Sequence, residues 1–186
     1  MFARLSLAFV FVLGSVHAGT ILVSPATANV GVGQFFEVDV DVNSITDLYA
    51  YQFDLSFNPA VLQATSITEG DFLDEGGTTL FFPGTIDNVG GTITENADSL
   101  ETAIAGVSGS GTLVEFEFEA IAPGISQNQI SNVFLLDSNL EGINADIADG
   151  AVTVNIVTTP EPSCAVLVAL GVVALFLRSR WCLSRA

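Results

Sequence analysis

The chain has 186 residues and a formal net charge of −17, from 21 Asp and Glu against four Arg and no Lys. All four arginines lie near the two ends, so residues 19–159 carry 20 carboxylates and no cationic side chain. Such a region has nothing with which to neutralise phosphates, which excludes nucleic-acid binding and adhesion to an anionic membrane surface.

At the N-terminus, Arg4 precedes an apolar stretch from Leu5 to Leu13, and Val16-His17-Ala18 puts small residues where a signal peptidase reads. That stretch is too short for a stable membrane span. Residues 1–18 are therefore expected to be a secretory signal cut between Ala18 and Gly19. An exported location permits disulfides, yet the only cysteines, Cys164 and Cys182, lie in the C-terminal tail. The intervening domain must be held by its hydrophobic core, and at about 140 residues it is long enough to bury one.

Within that domain the pattern is strand. Phe36-Glu37-Val38-Asp39-Val40-Asp41-Val42 alternates strictly between apolar and acidic, the period of a half-buried strand. Tyr51–Phe57 repeats this with aromatics on one face, Val114–Ala120 repeats it with Glu115, Glu117 and Glu119 on the other, and Val152–Ile156 supplies a last strand. Turn signals separate them at Gly31-Val32-Gly33, Asn58-Pro59, Gly76-Gly77, Gly90-Gly91, Ser108-Gly109-Ser110-Gly111 and Pro123-Gly124. Short alternating strands at this spacing, with no 3.6-residue pattern before the tail, predict an antiparallel β-sandwich. The rows of like charge are expected to keep the sandwich soluble and to oppose edge-to-edge pairing. Tyr49 and Tyr51 share one strand face with Phe53, Leu55 and Phe57, which predicts core positions; facing outward, they would instead form a stacking platform for sugar rings.

The chemistry open to this domain is narrow. Residues 19–159 contain no His, Cys, Lys or Arg, which removes Ser-His-Asp, Cys-His, Schiff-base and imidazole-ligated metal chemistry. A carboxylate pair could in principle serve glycoside hydrolysis, and Glu69, Asp71, Asp74 and Glu75 cluster locally, but among 20 carboxylates such clusters arise by chance. Calcium is the one cofactor left open, since hard cations take oxygen ligands. The stretch Asp137–Asp146 starts like a calcium-binding loop and then has Ala148 where a bidentate Glu is needed, so a loop before the last strand is expected. No catalytic, cofactor-binding or metal residue is assigned.

At the C-terminus, Pro160-Glu161-Pro162-Ser163 leads into an apolar run of 14 residues, Cys164 to Leu177, and then Arg178-Ser179-Arg180. As a helix the run would be about 21 Å long against a hydrocarbon core of roughly 30 Å, a marginal span that Arg178 and Arg180 extend by snorkelling. Positive charge on this flank is retained in the cytoplasm, leaving everything before Pro160 outside it. A buried core helix is the alternative; the absence of a polar face argues against it. Residues 160–180 resemble the PEP-CTERM sorting signal of Gram-negative bacteria, which implies recognition by an exosortase-type membrane peptidase. The tail Trp181–Ala186 is longer and more apolar than such signals usually carry.

The succession Phe36–Val42, Asp47–Leu62, Gly109–Phe118 and Asp149–Val154 is similar to the cohesin domain over nearly all of residues 20–156. The aromatic strand ending in Asn58-Pro59-Ala60-Val61-Leu62 is its most specific part. The resemblance implies an all-β, antiparallel jelly-roll sandwich of about nine strands that binds a partner; cohesins bind dockerin modules, and related sandwiches bind carbohydrate.

The chain is thus read as a signal peptide (1–18), a cohesin-like sandwich (19–157) and a PEP-CTERM sorting tail with a hydrophobic helix (158–186). The expected role is a non-catalytic, exported module of the cell envelope or extracellular matrix that mediates protein adhesion. A carbohydrate-binding module for exopolysaccharide and a passive matrix component are the alternatives. Mass spectrometry of the exported protein should find a chain beginning at Gly19; a cytosolic protein retaining Met1 would overturn the export reading.

Overall fold

The alternation of apolar and polar residues becomes ten strands in the computed structural model, which describes residues 19–102 and 105–156. They are β1 (Gly19–Ser24), β2 (Thr27–Gly31), β3 (Phe35–Ser56), β4 (Leu62–Glu69), β5 (Thr85–Asp87), β6 (Thr92–Ser99), β7 (Val107–Ala120), β8 (Gly124–Asp137), β9 (Ala145–Ala148) and β10 (Gly150–Asn155). The one helical element among the described residues is a 3-10 turn at Asp74–Gly76. Ala18, Pro160, Glu161, Pro162, Arg178, Arg180 and the hydrophobic helix read at the C-terminus lie outside the described residues.

The strands form two layers that share β3. The first half of β3 pairs antiparallel with β1 and β7, and β9 and β4 add to those neighbours. Its second half pairs antiparallel with β6 and β8, extended by β5 on one side and by β10 and β2 on the other. The two expected strands Phe36–Val42 and Tyr51–Phe57 are therefore one continuous strand. Between them Ser44 and Asp47 take positive φ of 55° and 57°, and the pairing with β7 slips between Val42 and Leu48. Ten strands stand where about nine were expected, Pro25 separating β1 from β2 and Asp149 separating β9 from β10. The sandwich is also not wholly antiparallel as expected, because those runs pass from one layer to the other side by side, β9 pairing parallel with β1 and β2 parallel with β10.

The serine-glycine run at 108–111, which its composition marks as a turn, lies inside β7. Its hydroxyls explain why. The N–H groups of Ser44 and Asp47, displaced from the ladder by the bend in β3, donate to Oγ of Ser110 and Ser108 at 3.0 and 2.9 Å. Gly111 leaves room for the ring of Phe72, which would lie 2.9 Å from a Cβ there.

Val38, Val40 and Val42 of one layer and Phe53 and Leu55 of the other are almost fully buried. Phe53 meets Phe116 edge-on at 6.3 Å between centroids, and Phe57 meets Phe118 at 5.1 Å, so aromatic pairs stitch the layers together. Tyr51 is buried as the shared strand face predicts, its hydroxyl donating to the carbonyl of Leu113 at 2.8 Å, whereas Tyr49 packs half-buried against the core and donates its hydroxyl to the carbonyl of Thr102 at 2.9 Å. Glu115, Glu117 and Glu119 do face outward, but β7 lies between β3 and β4, so this row guards no sheet edge.

Phe116→Ala should cost about 3–5 kcal/mol by chemical denaturation, because it empties the junction between layers. Val89→Ala, at a site 92% exposed, should change stability by less than about 0.5 kcal/mol.

Candidate binding surface

The outer face of the second layer carries a shallow groove of about 470 Å³. Its floor is made of small or flexible side chains, Ala50 and Gln52 from β3 and Ala97 and Ser99 from β6; Phe134 and Leu136 of β8 form one wall and Phe82 the other. Phe82 is 54% exposed and Phe134 62%.

Two irregularities turn these residues outward. On β6, Glu95 has φ of 62° and the register with β3 shifts there, so that Asn96 and Asp98 point inward while Ala97 and Ser99 point out. The Asn96 amide spans this bulge, donating to the carbonyls of Ile93 and Phe53 at 3.3 Å each. On β8, Asn132 has φ of 51°, and the slip between its pairings with Asp54 and Gln52 reverses the facing, leaving Ile130 and Leu135 inside and Phe134 outside. Asp54 sits between the two bulges. One carboxylate oxygen accepts the Glu95 N–H at 2.8 Å and the other accepts from the Asn132 side-chain amide at 2.6 Å. Phe82 arrives from the opposite side, where its backbone exchanges two hydrogen bonds with Ala97, at 2.7 and 3.0 Å.

At the bend in the middle of β3, Asp47 ties three elements together. Its carboxylate accepts from the Ser138 hydroxyl and the Gly106 N–H, both at 2.7 Å, and these bonds hold it below the usual carboxylate range. The first layer presents a different surface. Glu37 lies directly opposite Glu117, and Asp39 opposite Glu115. Burial, followed by the charges of Asp41, Glu115 and Glu37, pushes Asp39 up to about 6.

The carboxylates singled out in the sequence disperse. Thr79 brings Glu69 and Asp74 together, its hydroxyl standing 2.5 Å from one and 3.1 Å from the other, whereas Asp71 and Glu75 are exposed and take no part. Asp98, hidden in β6, joins the first two. Asp137 closes its own turn by accepting the N–H groups of Asn139 and Glu141, both at 2.8 Å. Among the described residues no three acidic side chains are arranged to hold a metal ion. Phe82 and Phe134 escape a reading by periodicity, since each sits in an apolar run, Leu80-Phe81-Phe82 and Val133-Phe134-Leu135, that looks like core.

A family model of the cohesin domain matches residues 21–154. Over 73 residues the chain is 38% identical to Cell surface glycoprotein 1 of Acetivibrio thermocellus; the match covers 39% of this chain and 3% of that much longer protein. Among solved structures, it is similar to a non-cellulosomal cohesin from Archaeoglobus fulgidus, with a TM-score of 0.61 at 15% identity over 74% of this chain and 91% of the other. A cohesin in a type I cohesin–dockerin complex from Clostridium thermocellum gives 0.61 at 15% identity, over 75% and 100%. The seventh ScaB type I cohesin of Pseudobacteroides cellulosolvens gives 0.62 at 14%, over 78% and 97%. At these identities the structural likeness shows the shared fold, and the family match over most of the domain shows the descent: the chain belongs to the cohesin domain family, whose members are non-catalytic protein-interaction modules.

Proposed function

We propose that the chain is an exported adhesion module that captures a partner protein in the groove between Phe82 and Phe134. The observation that carries this reading is the pair of exposed phenylalanine rings flanking a small-residue floor, on a domain whose surface is otherwise rich in carboxylates. Large aromatics over a shallow apolar groove match the anchors of protein interfaces. The absence of any Lys, Arg or His in residues 19–159 adds a requirement on the partner, an apolar centre with a cationic rim. Dockerin-bearing proteins, the partners of the Clostridium thermocellum relative, are the first class to test.

The two ends supply the delivery route in this proposal. Residues 1–18 direct export, and Pro160-Glu161-Pro162 with Arg178 and Arg180 present the tail to an exosortase-type peptidase in the envelope of a Gram-negative bacterium. The exopolysaccharide alternative loses its main support, because Tyr51 is buried, Tyr49 packs half-buried against the core, and both commit their hydroxyls to backbone carbonyls.

Immobilised full-length chain should retain one protein from the host's extracellular fraction or bind a purified dockerin module. Phe82→Ser and Phe134→Ser should each weaken that capture about 30-fold while leaving the melting temperature unchanged. Retention of polysaccharide instead, or capture indifferent to both serines, would overturn the reading. Raising salt from about 50 to 500 mM should slow association, as expected for a cationic rim steered by an acidic domain.

A further inference from the structure

Asp98 of β6 is 3% exposed, and its side chain points into the sandwich opposite Tyr51. One carboxylate oxygen, Oδ1, accepts the Ser99 N–H at 2.7 Å; the other, Oδ2, has no hydrogen-bond partner. A buried carboxylate is normally paired with a cation, and none is present in residues 19–159. The side chain that acts on it most strongly is another acid, Glu69 at the end of β4, which is held beside β6 by Thr79, whose hydroxyl bonds Glu69 and whose backbone bridges to Leu100. Each element packed around the pair adds negative charge or a committed donor. Tyr51 of β3 donates its hydroxyl to Leu113 of β7, Asp74 of the 3-10 turn is a third acid, and the single hydroxyl proton of Thr79 is contested by Glu69 and Asp74.

Two ionised carboxylates with no spare donor cannot be stable neighbours out of water. A proton between Asp98 Oδ2 and the Glu69 carboxyl would supply the missing partner. The pair also has mechanical reach. Glu69 opens the segment that runs to Gly84, which is bonded to β7 through Gly70 and Phe72 and to β6 through Leu80 and Phe82. Asp98 lies on β6 directly after Ala97, the backbone partner of Phe82.

We propose that Asp98 and Glu69 share a proton and act as an acid-strengthened clasp that holds the segment from Gly70 to Gly84, and with it the Phe82 wall of the groove, against β6. The functional consequence rests on the protein-binding reading of that groove: partner capture would be firmer in mildly acidic surroundings. Burial first, then the Glu69 charge, push Asp98 up to about 7 from an ordinary value of 3.8. The folded form therefore holds a proton that the opened form releases. The stabilisation is complete below about pH 4, falls as pH rises, and is lost above about 7.

Hydrogen exchange of the full-length chain, corrected for intrinsic rates, tests this without any partner. Protection at Leu80 and Phe82 should drop at least about tenfold between about pH 5 and pH 8. Asp98→Asn, uncharged throughout and able to donate its amide to Glu69, should keep the protection at the higher pH, while Asp146→Asn, on the exposed surface, should behave as the unaltered chain. Glu69→Gln gives the same test should the asparagine variant fail to fold. Equal protection at both pH values, or a drop undiminished by Asp98→Asn and Glu69→Gln, would overturn the clasp. So would protection restored at pH 8 by about 1 mM Ca²⁺ in the unaltered chain alone, which would assign the pair to a cation. A negative result here leaves the groove's role standing, and failure of the phenylalanine variants to weaken capture leaves the clasp measurable.

Discussion

Strand β3 is the member on which the other strands are assembled. Its first half is paired on both sides, by β1 and β7, and its second half on both sides again, by β8 and β6. A strand serving two facing sheets must turn between them, and a turn inside a ladder strands backbone N–H groups, each costly if left buried and unpaired. The two serine hydroxyls of β7 meet that need at Ser44 and Asp47. Asp47 then reaches across to Gly106 and Ser138, so the bend also sets where β7 begins and β8 ends. With the bend fixed, Val38 and Phe53, on opposite halves of one strand, face each other's layers across one core.

Charge is the second constraint. Without a cation among residues 19–159, every carboxylate must be hydrated, accept N–H or O–H donors, or hold its proton. The first two are visible in the fold, and Asp98, raised to about 7 by burial and the Glu69 charge, is the candidate for the third. Glu115 and Glu117 stand in the outward row of β7; Asp54, Asp87 and Asp137 become ligands of nearby amides and so organise turns and bulges. Asp87, accepting from Gly90 and Val89, lies below the usual carboxylate range, whereas Asp39 and Asp98, largely withdrawn from water beside other acids, lie above it. Acidity in this domain is thus part of the architecture as much as a solubility device.

These two constraints meet at the groove. Asp54 accepts from both bulged strands that flank it, and those bulges decide which residues of β6 and β8 look outward. The floor and one wall of the groove come from hydrogen-bonded strands, and only the Phe82 wall is carried by a connecting segment.

Alternation at Phe36–Val42, Tyr51–Phe57 and Val114–Ala120 was enough to place core strands, because one face of each is apolar and the other polar, and the inward turn of Tyr51 followed from its shared parity with Phe53. Strand β8 was less legible: its inward positions near the start are the polar Ser126 and Asn128, where the Ser126 hydroxyl donates to the Asn128 amide oxygen at 2.8 Å while accepting the Asn58 N–H, with the Asn128 amide nitrogen left unpartnered. Composition also misled at Ser108–Gly111, where residues typical of turns were needed to serve the bend in β3. By itself, the order of residues determined an all-β, cation-free domain with its aromatic core, since periodicity and composition act along the chain. The exposure of Phe134, the continuity of β3 and the burial of Asp98 beside Glu69 were decided only in the tertiary structure, because each depends on a bulge, a register or a neighbour contributed by residues far away in sequence.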